Sequence, residues 1–190
     1  VGMLGVLDDI GHATTQWFKR DGDVVALLGE TREELGGTEY LKVAHNREEG
    51  RPPRLNLGRE RAVQQACLAA IRAGIVSSAH DCSDGGLAVA LAESCVTAPA
   101  ARLGATLEIP GEMRPDALLF GESASRIVVS GPPEQVERLR AIAREHGVPC
   151  AVLGAVGGDH LALRGRRFNL HLSVEALHWA WSTGLSRLLG

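Results

Sequence analysis

The chain has 190 residues, of which 45% are hydrophobic, 4% aromatic and 23% charged, and its formal net charge is −3. This length suits a domain that buries a sizeable core of Ala, Val, Leu and Ile without disulfide staples. The densest basic cluster is the short stretch 164–167, and no apolar run reaches the ~18 residues of a membrane span, so the composition argues against nucleic-acid and membrane partners.

The opening residues predict an antiparallel unit. Residues 1–9 (VGMLGVLDD) are apolar and branched enough for a buried strand that ends in two carboxylates. Residues 13–18 predict a second, more exposed strand, and an Asp-Gly turn leads into a buried strand at residues 24–29. Because the chain begins on Val1 inside an apolar run, with no secretory signal, we expect a domain of a longer polypeptide.

A paired glycine opens the next segment. Residues 35–41 predict a short helix with Thr38 as its N-cap. The preceding Gly36-Gly37 can cradle a phosphate, but a flexible turn is the favoured interpretation. The polar, proline-containing stretch 46–56 predicts a surface loop, and residues 59–73 form the clearest helical pattern of the chain, closed by Gly74.

The next stretch combines a strand, a polar turn and a helix. An apolar run at residues 75–79 predicts a strand, and residues 87–95 predict a helix. Between them lies HDCSDGG, residues 80–86, which we call the acidic turn. Free N–H groups at a helix start attract anions, and carboxylates there can hold a divalent cation that a phosphate shares. Alternatively, Ser83 or Asp84 caps the helix and the glycines make a tight turn. The pattern leaves both open.

A second polar stretch precedes another buried strand. Residues 117–126 end in Glu122-Ser123-Ala124-Ser125-Arg126, and residues 127–130 predict the strand. Glu122 and Arg126 can form a local ion pair, or the stretch can clamp a substrate at the sheet edge. These two interpretations are equally supported by the residues.

The remaining elements alternate between strands and helices without a regular βαβ order. Strands are predicted at 104–109, 148–156, 160–163 and 168–172, with a hairpin-like turn at 157–159. Helices are predicted from Pro133 to about residue 145, and after Ser173 as an N-cap. The order indicates an α+β fold with a mixed sheet rather than a doubly wound parallel sheet.

The titratable residues outside these stretches show no recognised catalytic spacing. None of the four cysteines (Cys67, Cys82, Cys95 and Cys150) forms a C-x-x-C pair, so we expect buried free thiols in a reducing cytoplasm rather than zinc or disulfides. His80 can act as a general base, but a single histidine at a strand end is more often structural. The other histidines show no metal spacing.

The two polar stretches resemble signatures of the phosphoribosylformylglycinamidine synthase family. Residues 80–93 (HDCSDGGLAVALAE) resemble its HDxSDGGLxVALAE motif, and residues 119–129 (LFGESASRIVV) resemble its LFGES-x-SR segment. The opening nonapeptide, Thr14-Thr15 and the GGTEY stretch match the start of its last domain. The resemblance covers nearly the whole chain in order.

The resemblance implies one domain, residues 1–190, with a three-layer α/β/α fold and a mixed sheet, like the C-terminal domain of aminoimidazole ribonucleotide synthetase (PurM). It implies a C-terminal domain of an ATP-dependent ligase of purine biosynthesis, inactive alone, that carries part of an auxiliary site for ATP or ADP with Mg²⁺. No catalytic residue is expected here, because the family's catalytic histidines lie in the other half.

The implied site residues lie in the two motifs. Asp81 corresponds to a Mg²⁺ ligand and Ser83 to a nucleotide contact, with Asp84, Gly85 and Gly86 completing the cofactor-binding turn. Glu122 and Ser123 are pseudo-symmetric counterparts of substrate-binding residues. Ala124 departs from the glutamine common in the family, which weakens a side-chain contact there.

The implied partners are the upstream domains of the same synthetase, a PurQ-like glutaminase and a small PurS-like subunit. Two alternatives of other classes remain. The domain can be purely structural, with an acidic turn that only caps a helix. It can also belong to a related ATP-dependent enzyme, such as a selenophosphate synthetase, a HypE-type protein or a free-standing small-molecule kinase.

Overall fold

The computed structural model describes residues 5–189, with side chains as far as residue 185. Its seven strands are β1 (Val24–Gly29), β2 (Ser78–Asp81), β3 (Ala105–Glu108), β4 (Arg126–Gly131), β5 (Cys150–Val156), β6 (His160–Gly165) and β7 (Phe168–Ser173). Its helices are α1 (Glu39–His45), α2 (Leu57–Arg72), α3 (Gly86–Val96), α4 (Pro115–Phe120), α5 (Val136–Glu145) and α6 (Val174–Leu189). Short 3₁₀ turns lie at Ile10–His12 and Pro133–Gln135.

All seven strands join one sheet in the order β2-β4-β1-β5-β3-β6-β7. The β3–β6 pair is parallel, and the other neighbouring pairs are antiparallel. This arrangement confirms the predicted mixed sheet. It also places β2, which leads into the acidic turn, at one edge of the sheet.

The sheet buries both faces, because successive residues of a strand point to opposite sides. On β1, Val25 and Leu27 contribute to one core, whereas Ala26 and Leu28 contribute to the other. The first core includes buried side chains of α3, α4 and α6, and the second includes those of α2 and α5. The result is the predicted three-layer α/β/α arrangement. None of the helices described is long and apolar enough to cross a membrane.

Local signals set the limits of α2. The Asn56 carboxamide accepts a hydrogen bond from the N–H of Arg59 at 3.0 Å, which caps the first turn. Gly74 follows the helix with a φ of +66°, the left-handed conformation that glycine adopts without strain. Val63 and Ala70 lie on the buried face, as their helical spacing predicts.

The predicted opening strand is wrong where it can be compared. Residues 1–4 lie outside the described part of the chain, and residues 5–9 are not in a strand. Val6 and Ile10 are 89% and 81% exposed, so this apolar run meets no neighbouring strand in the described chain. The predicted strand at 13–18 reduces to a single bridge between Thr15 and Ser78.

The predicted hairpin at residues 157–159 is also wrong. Strand β3 lies between β5 and β6 and pairs with both. The N–H of Gly104 bonds to the carbonyl of Gly158 at 2.8 Å, so the turn packs against the start of β3. The sequence pattern also failed to predict α4, whose six residues are too few to show helical periodicity.

Candidate functional site

The acidic turn connects the edge strand β2 to the N-terminus of α3. The N–H of Cys82 bonds to the carbonyl of Arg126, and the N–H of Gly86 bonds to the carbonyl of Ser83, each at 3.0 Å. Gly85 is the N-cap of α3 and supplies no side-chain hydrogen bond. The alternative in which Ser83 or Asp84 caps the helix is therefore wrong.

Gly86 is required by close packing within the domain. Its φ is +67°, and a Cβ atom at this position would lie 2.5 Å from the carbonyl oxygen of Gly121. A side chain here would therefore push the acidic turn away from residues 121–126, the segment that follows α4. The glycine brings together the two stretches that the sequence analysis singled out.

Asp81 and Ser83 form the exposed polar tip of the turn. The Ser83 hydroxyl donates a hydrogen bond to Oδ2 of Asp81, and the Asp81 side chain is 71% exposed. His80 lies behind them, 11% exposed, with Nε2 at 2.9 Å from Oε2 of Glu93 and Nδ1 at 3.7 Å from Oδ1 of Asp81. His80 is a residue of β2, and its contact with Glu93 connects that strand to α3.

An exposed carboxylate beside a hydroxyl fits Mg²⁺, which prefers oxygen ligands. The part of the chain with described side chains contains no group of three or more His, Cys, Asp or Glu that could hold a metal ion. Asp81 can therefore supply one ligand, and the rest of an octahedral shell must come from phosphate, water or another part of the protein. Asp84 instead lies near Lys42, where it helps Glu39 to raise the pKa of that ammonium group.

A cleft of about 570 Å³ joins the two polar stretches, a volume in the usual range of ligand sites. Asp81 and Ser83 line one side, and Ser125 lines the other. Ser125 has a φ of +65°, unusual for a residue with a side chain, and its hydroxyl donates to Oε2 of Glu60 at 2.6 Å. The sequence placed Ser125 in a stretch that can clamp a substrate, but it did not predict Glu60, because a hydrogen bond between residues 65 positions apart leaves no pattern in the sequence.

Glu122 makes a long-range contact rather than projecting into this cleft. Its Oε1 accepts hydrogen bonds from the N–H of Gly85 at 2.8 Å and from the N–H of Glu39 at 2.9 Å. The N–H groups of Gly85 and Gly86 thus both have acceptors inside the domain. The cofactor-binding role predicted for Asp84, Gly85 and Gly86 stays a prediction.

Ser123 is fully buried, with 0% of its surface exposed. Its hydroxyl accepts from the N–H of Arg32 at 3.1 Å and donates to the carbonyl of the same residue at 3.2 Å. A ligand can reach this hydroxyl only if the surrounding segment opens. The substrate-binding role predicted for Glu122 and Ser123 stays a prediction.

Arg126 is 2% exposed, and its guanidinium bonds to neutral oxygens. Nε donates to the carbonyl of Ser123, while the two terminal nitrogens donate to the carbonyl of Gly121 and to Oγ1 of Thr31. Burial lowers the pKa of Arg126. Of the two interpretations that the sequence left open for this stretch, the local ion pair between Glu122 and Arg126 is wrong, because the described side chains place these two residues in separate hydrogen-bond networks.

The cysteines match the prediction of free thiols. Cys67, Cys82 and Cys95 are buried, Cys150 is half-buried, and all four are unpaired. Burial raises the pKa of Cys67 and Cys82 to about 11 and that of Cys95 to about 12. Since the thiolate is the reactive form, these three thiols are unsuited to nucleophilic chemistry near neutral pH.

Comparison with known proteins gives these features a family context. Residues 20–165 match the model of the family described as AIR synthase related protein, C-terminal domain. The chain belongs to this family. Within this AIR synthase-related domain, the matched region includes the acidic turn and the segment that follows α4.

Two relatives align along nearly the whole chain. The phosphoribosylformylglycinamidine synthase subunit PurL of Anaeromyxobacter dehalogenans (strain 2CP-C) is 48% identical over 196 residues, covering 100% of this chain and 25% of that protein. The same subunit of Moorella thermoacetica is 47% identical over 182 residues, covering 94% and 24%. The chain thus spans about a quarter of the length of these curated relatives.

Solved structures confirm the fold. Thermotoga maritima PurL complexed with FGAR superimposes with a TM-score of 0.76 at 21% identity, covering 89% of this chain and 30% of that one. Escherichia coli HypE, a hydrogenase maturation protein, gives 0.59 at 16% identity, with coverages of 85% and 52%. At these identities, the likeness shows a shared fold.

Proposed function

We propose that the chain, residues 1–190, is the C-terminal domain of a phosphoribosylformylglycinamidine synthase. The complete enzyme would convert formylglycinamide ribonucleotide, glutamine and ATP into formylglycinamidine ribonucleotide. The observation that carries this proposal is 48% identity to a PurL subunit along the entire chain. The more distant likeness to HypE extends only to the fold.

Within that enzyme, the acidic turn supplies part of an auxiliary Mg²⁺–nucleotide site. Asp81 would bind the metal through its exposed carboxylate, and Ser83 would contact the nucleotide. Mg²⁺ there would neutralise phosphate charge that the carboxylates of the turn would otherwise repel. Thermotoga maritima PurL has been crystallised with ATP and with ADP, which supports a nucleotide as the ligand class.

The domain needs partners to act. Its own residues offer one metal ligand at the acidic turn, so upstream domains of the same polypeptide would complete the site. We propose a PurQ-like glutaminase as ammonia source and a small PurS-like subunit as further partners, consistent with a Thermotoga maritima structure of a PurLQS assembly. We propose a cytoplasmic location, which the free thiols support because structural disulfides are rare in that reducing compartment.

We propose that the segment that follows α4 has a structural role and stabilises the local main chain. The hydroxyl of Ser123 and the guanidinium of Arg126 are buried and bonded to the main chain. The domain therefore combines a structural contribution from this segment with a ligand contribution from the acidic turn.

The amidation assay tests this function. The complete synthetase containing this chain, supplied with formylglycinamide ribonucleotide, glutamine or ammonia, and ATP, should form the amidine with matching ADP release. Residues 1–190 alone should give no turnover. Turnover by residues 1–190 alone would instead establish a free-standing synthetase or kinase, and an inactive complete protein would contradict the assignment.

A further inference from the structure

The carboxylate of Glu122 joins two segments that are distant in the sequence. Its Oε1 atom is 2.9 Å from the backbone nitrogen of Glu39, 83 residues away, and 2.8 Å from that of Gly85, 37 residues away. Glu39 begins α1, and Gly85 immediately precedes α3. One oxygen atom thus connects α1 to the acidic turn.

The bonding partners suit a carboxylate. The first N–H groups of a helix have no acceptor within the helix, and they carry the positive end of its dipole. Hydrogen bonds from such groups to an ionised carboxylate are stronger than those between neutral groups. Glu122 therefore accepts hydrogen bonds from one main-chain N–H group at the start of each helix, and these groups have no acceptor within the helix.

Hydrogen bonds on both sides of Glu122 hold its main chain in place. Its own N–H bonds to the carbonyl of Glu34 at 3.3 Å. The adjacent Ser123 side chain is locked to the main chain of Arg32, and the Arg126 guanidinium holds the carbonyl on the other side, that of Gly121. The carboxylate is thus fixed from both flanks, and it can set the position of the turn.

We infer that Glu122 is a positioning residue that holds the acidic turn against the start of α1 and so presents Asp81 and Ser83 to the nucleotide. This inference rests on the proposed nucleotide site, because it assigns Glu122 a function in that site without contact to the ligand. The charge strengthens these hydrogen bonds, but they form only if the side chain spans the gap to both N–H groups, so a loss of length should have a larger effect than a loss of charge.

Three variants of the complete synthetase separate reach from charge. Glu122→Gln keeps an Oε1 acceptor at the same distance, Glu122→Asp keeps the charge but is one methylene shorter, and Glu122→Ala removes both. Glu137→Ala serves as control, because Glu137 forms an exposed ion pair with Arg140 on α5. Each variant is assayed for amide hydrogen exchange with residue-level mass spectrometry and for Mg²⁺–ADP affinity.

We expect exchange of the Gly85 and Glu39 amides to accelerate about tenfold in Glu122→Asp and Glu122→Ala, and about threefold or less in Glu122→Gln. Affinity for Mg²⁺–ADP should fall in the same order, by at least about fivefold in Glu122→Asp. Comparison of the Asp and Gln variants suffices if Glu122→Ala does not fold. The control should match the wild type in both measurements.

The positioning role would be overturned if the Gly85 amide exchanged in Glu122→Asp at the same rate as in the wild type. Accelerated exchange with unchanged affinity would also overturn it, as would a Gln variant that binds more weakly than the Asp variant, because charge rather than reach would then matter. Absence of Mg²⁺–ADP binding by the wild type would contradict the proposed nucleotide site instead, and the exchange rates would still decide whether Glu122 holds the turn.

Discussion

The guanidinium of Arg126 donates a hydrogen bond from Nε to the carbonyl oxygen of Ser123 at 2.8 Å, and both residues are buried. This contact closes a tight loop at the start of β4. The same guanidinium bonds to Gly121, so it fixes the main chain on both sides of Glu122. Stability and site geometry therefore depend on the same side chain.

Replacing Arg126 should destabilise the fold substantially. Arg126→Met leaves the carbonyls of Gly121 and Ser123 without their donors, and we expect the free energy of unfolding to fall by about 3 kcal/mol. Urea unfolding followed by circular dichroism measures this change. Arg140→Met removes a surface ion pair and should cost less than about 0.5 kcal/mol. A similar small loss for both variants would contradict the structural role.

Gly86 and Gly22 form a matched pair of left-handed glycines. Gly22 has a φ of +85° with nothing within 4 Å of a Cβ atom, whereas a Cβ atom on Gly86 would lie 2.5 Å from the Gly121 carbonyl. Gly22→Ala should therefore lower the free energy of unfolding only by the strain of the left-handed conformation, about 1–2 kcal/mol. Gly86→Ala should cost at least about 1 kcal/mol more. Equal shifts in the thermal midpoint would show that the close approach is absent.

Glu34 should make stability depend on pH in the acidic range. Burial raises the pKa of its carboxyl, but the N–H of Arg54, the Ser123 hydroxyl and two nearby guanidinium groups outweigh this effect, so the pKa is lowered. The unfolded chain then binds a proton more readily than the folded one. The stabilisation is complete above the unfolded pKa and is lost as pH falls through the folded value.

The test compares Glu34→Gln with wild type in urea titrations between about pH 6 and pH 3, a range that brackets ordinary carboxyl pKa values. The wild type should lose more stability on acidification than Glu34→Gln. Glu33→Gln, at the exposed neighbouring position, should retain the wild-type slope. If the free energy of unfolding fell equally with pH in the wild type and in Glu34→Gln, the prediction would be refuted.

The two lysines of the chain should differ in reactivity. Burial lowers the pKa of Lys19 to about 8, whereas the hydrogen bond and charge of Glu39 raise the pKa of Lys42. Only the neutral amine reacts with acylating reagents. At about pH 7.5, limited acetylation should label Lys19 at least about tenfold faster than Lys42, as peptide mass spectrometry would show. Equal labelling would contradict this assignment.

Local patterns predicted most of the helices and strands, with α4 as the helix that they failed to predict. The spacing of Val63 and Ala70, with Gly74 beyond, predicted α2 because those signals act within a few residues. The insertion of β3 between β5 and β6 could not be predicted in this way. Strand order depends on pairing between residues far apart in the sequence, such as Thr106 with Ala162.

The candidate site likewise contains residues that local sequence could predict and residues whose roles depend on distant contacts. The exposed tip, Asp81 and Ser83, could be predicted from the motif, because short polar residues at the end of a strand remain accessible. The interior roles of Glu122 and Ser123 could not, since they depend on main-chain groups 83 and 91 residues away. The family resemblance implied a substrate-binding role for both residues, and that role stays a prediction.

Occupancy of the auxiliary site by Mg²⁺–ADP in the complete synthetase tests the central claim most directly. Equilibrium dialysis should show at least about tenfold weaker ADP binding in Asp81→Asn than in wild type, because the variant loses a charged metal ligand. Asp159→Asn, an exposed substitution on the loop before β6, should bind as the wild type does. Unchanged ADP and Mg²⁺ occupancy in Asp81→Asn would contradict the claim that the acidic turn holds the metal–nucleotide complex.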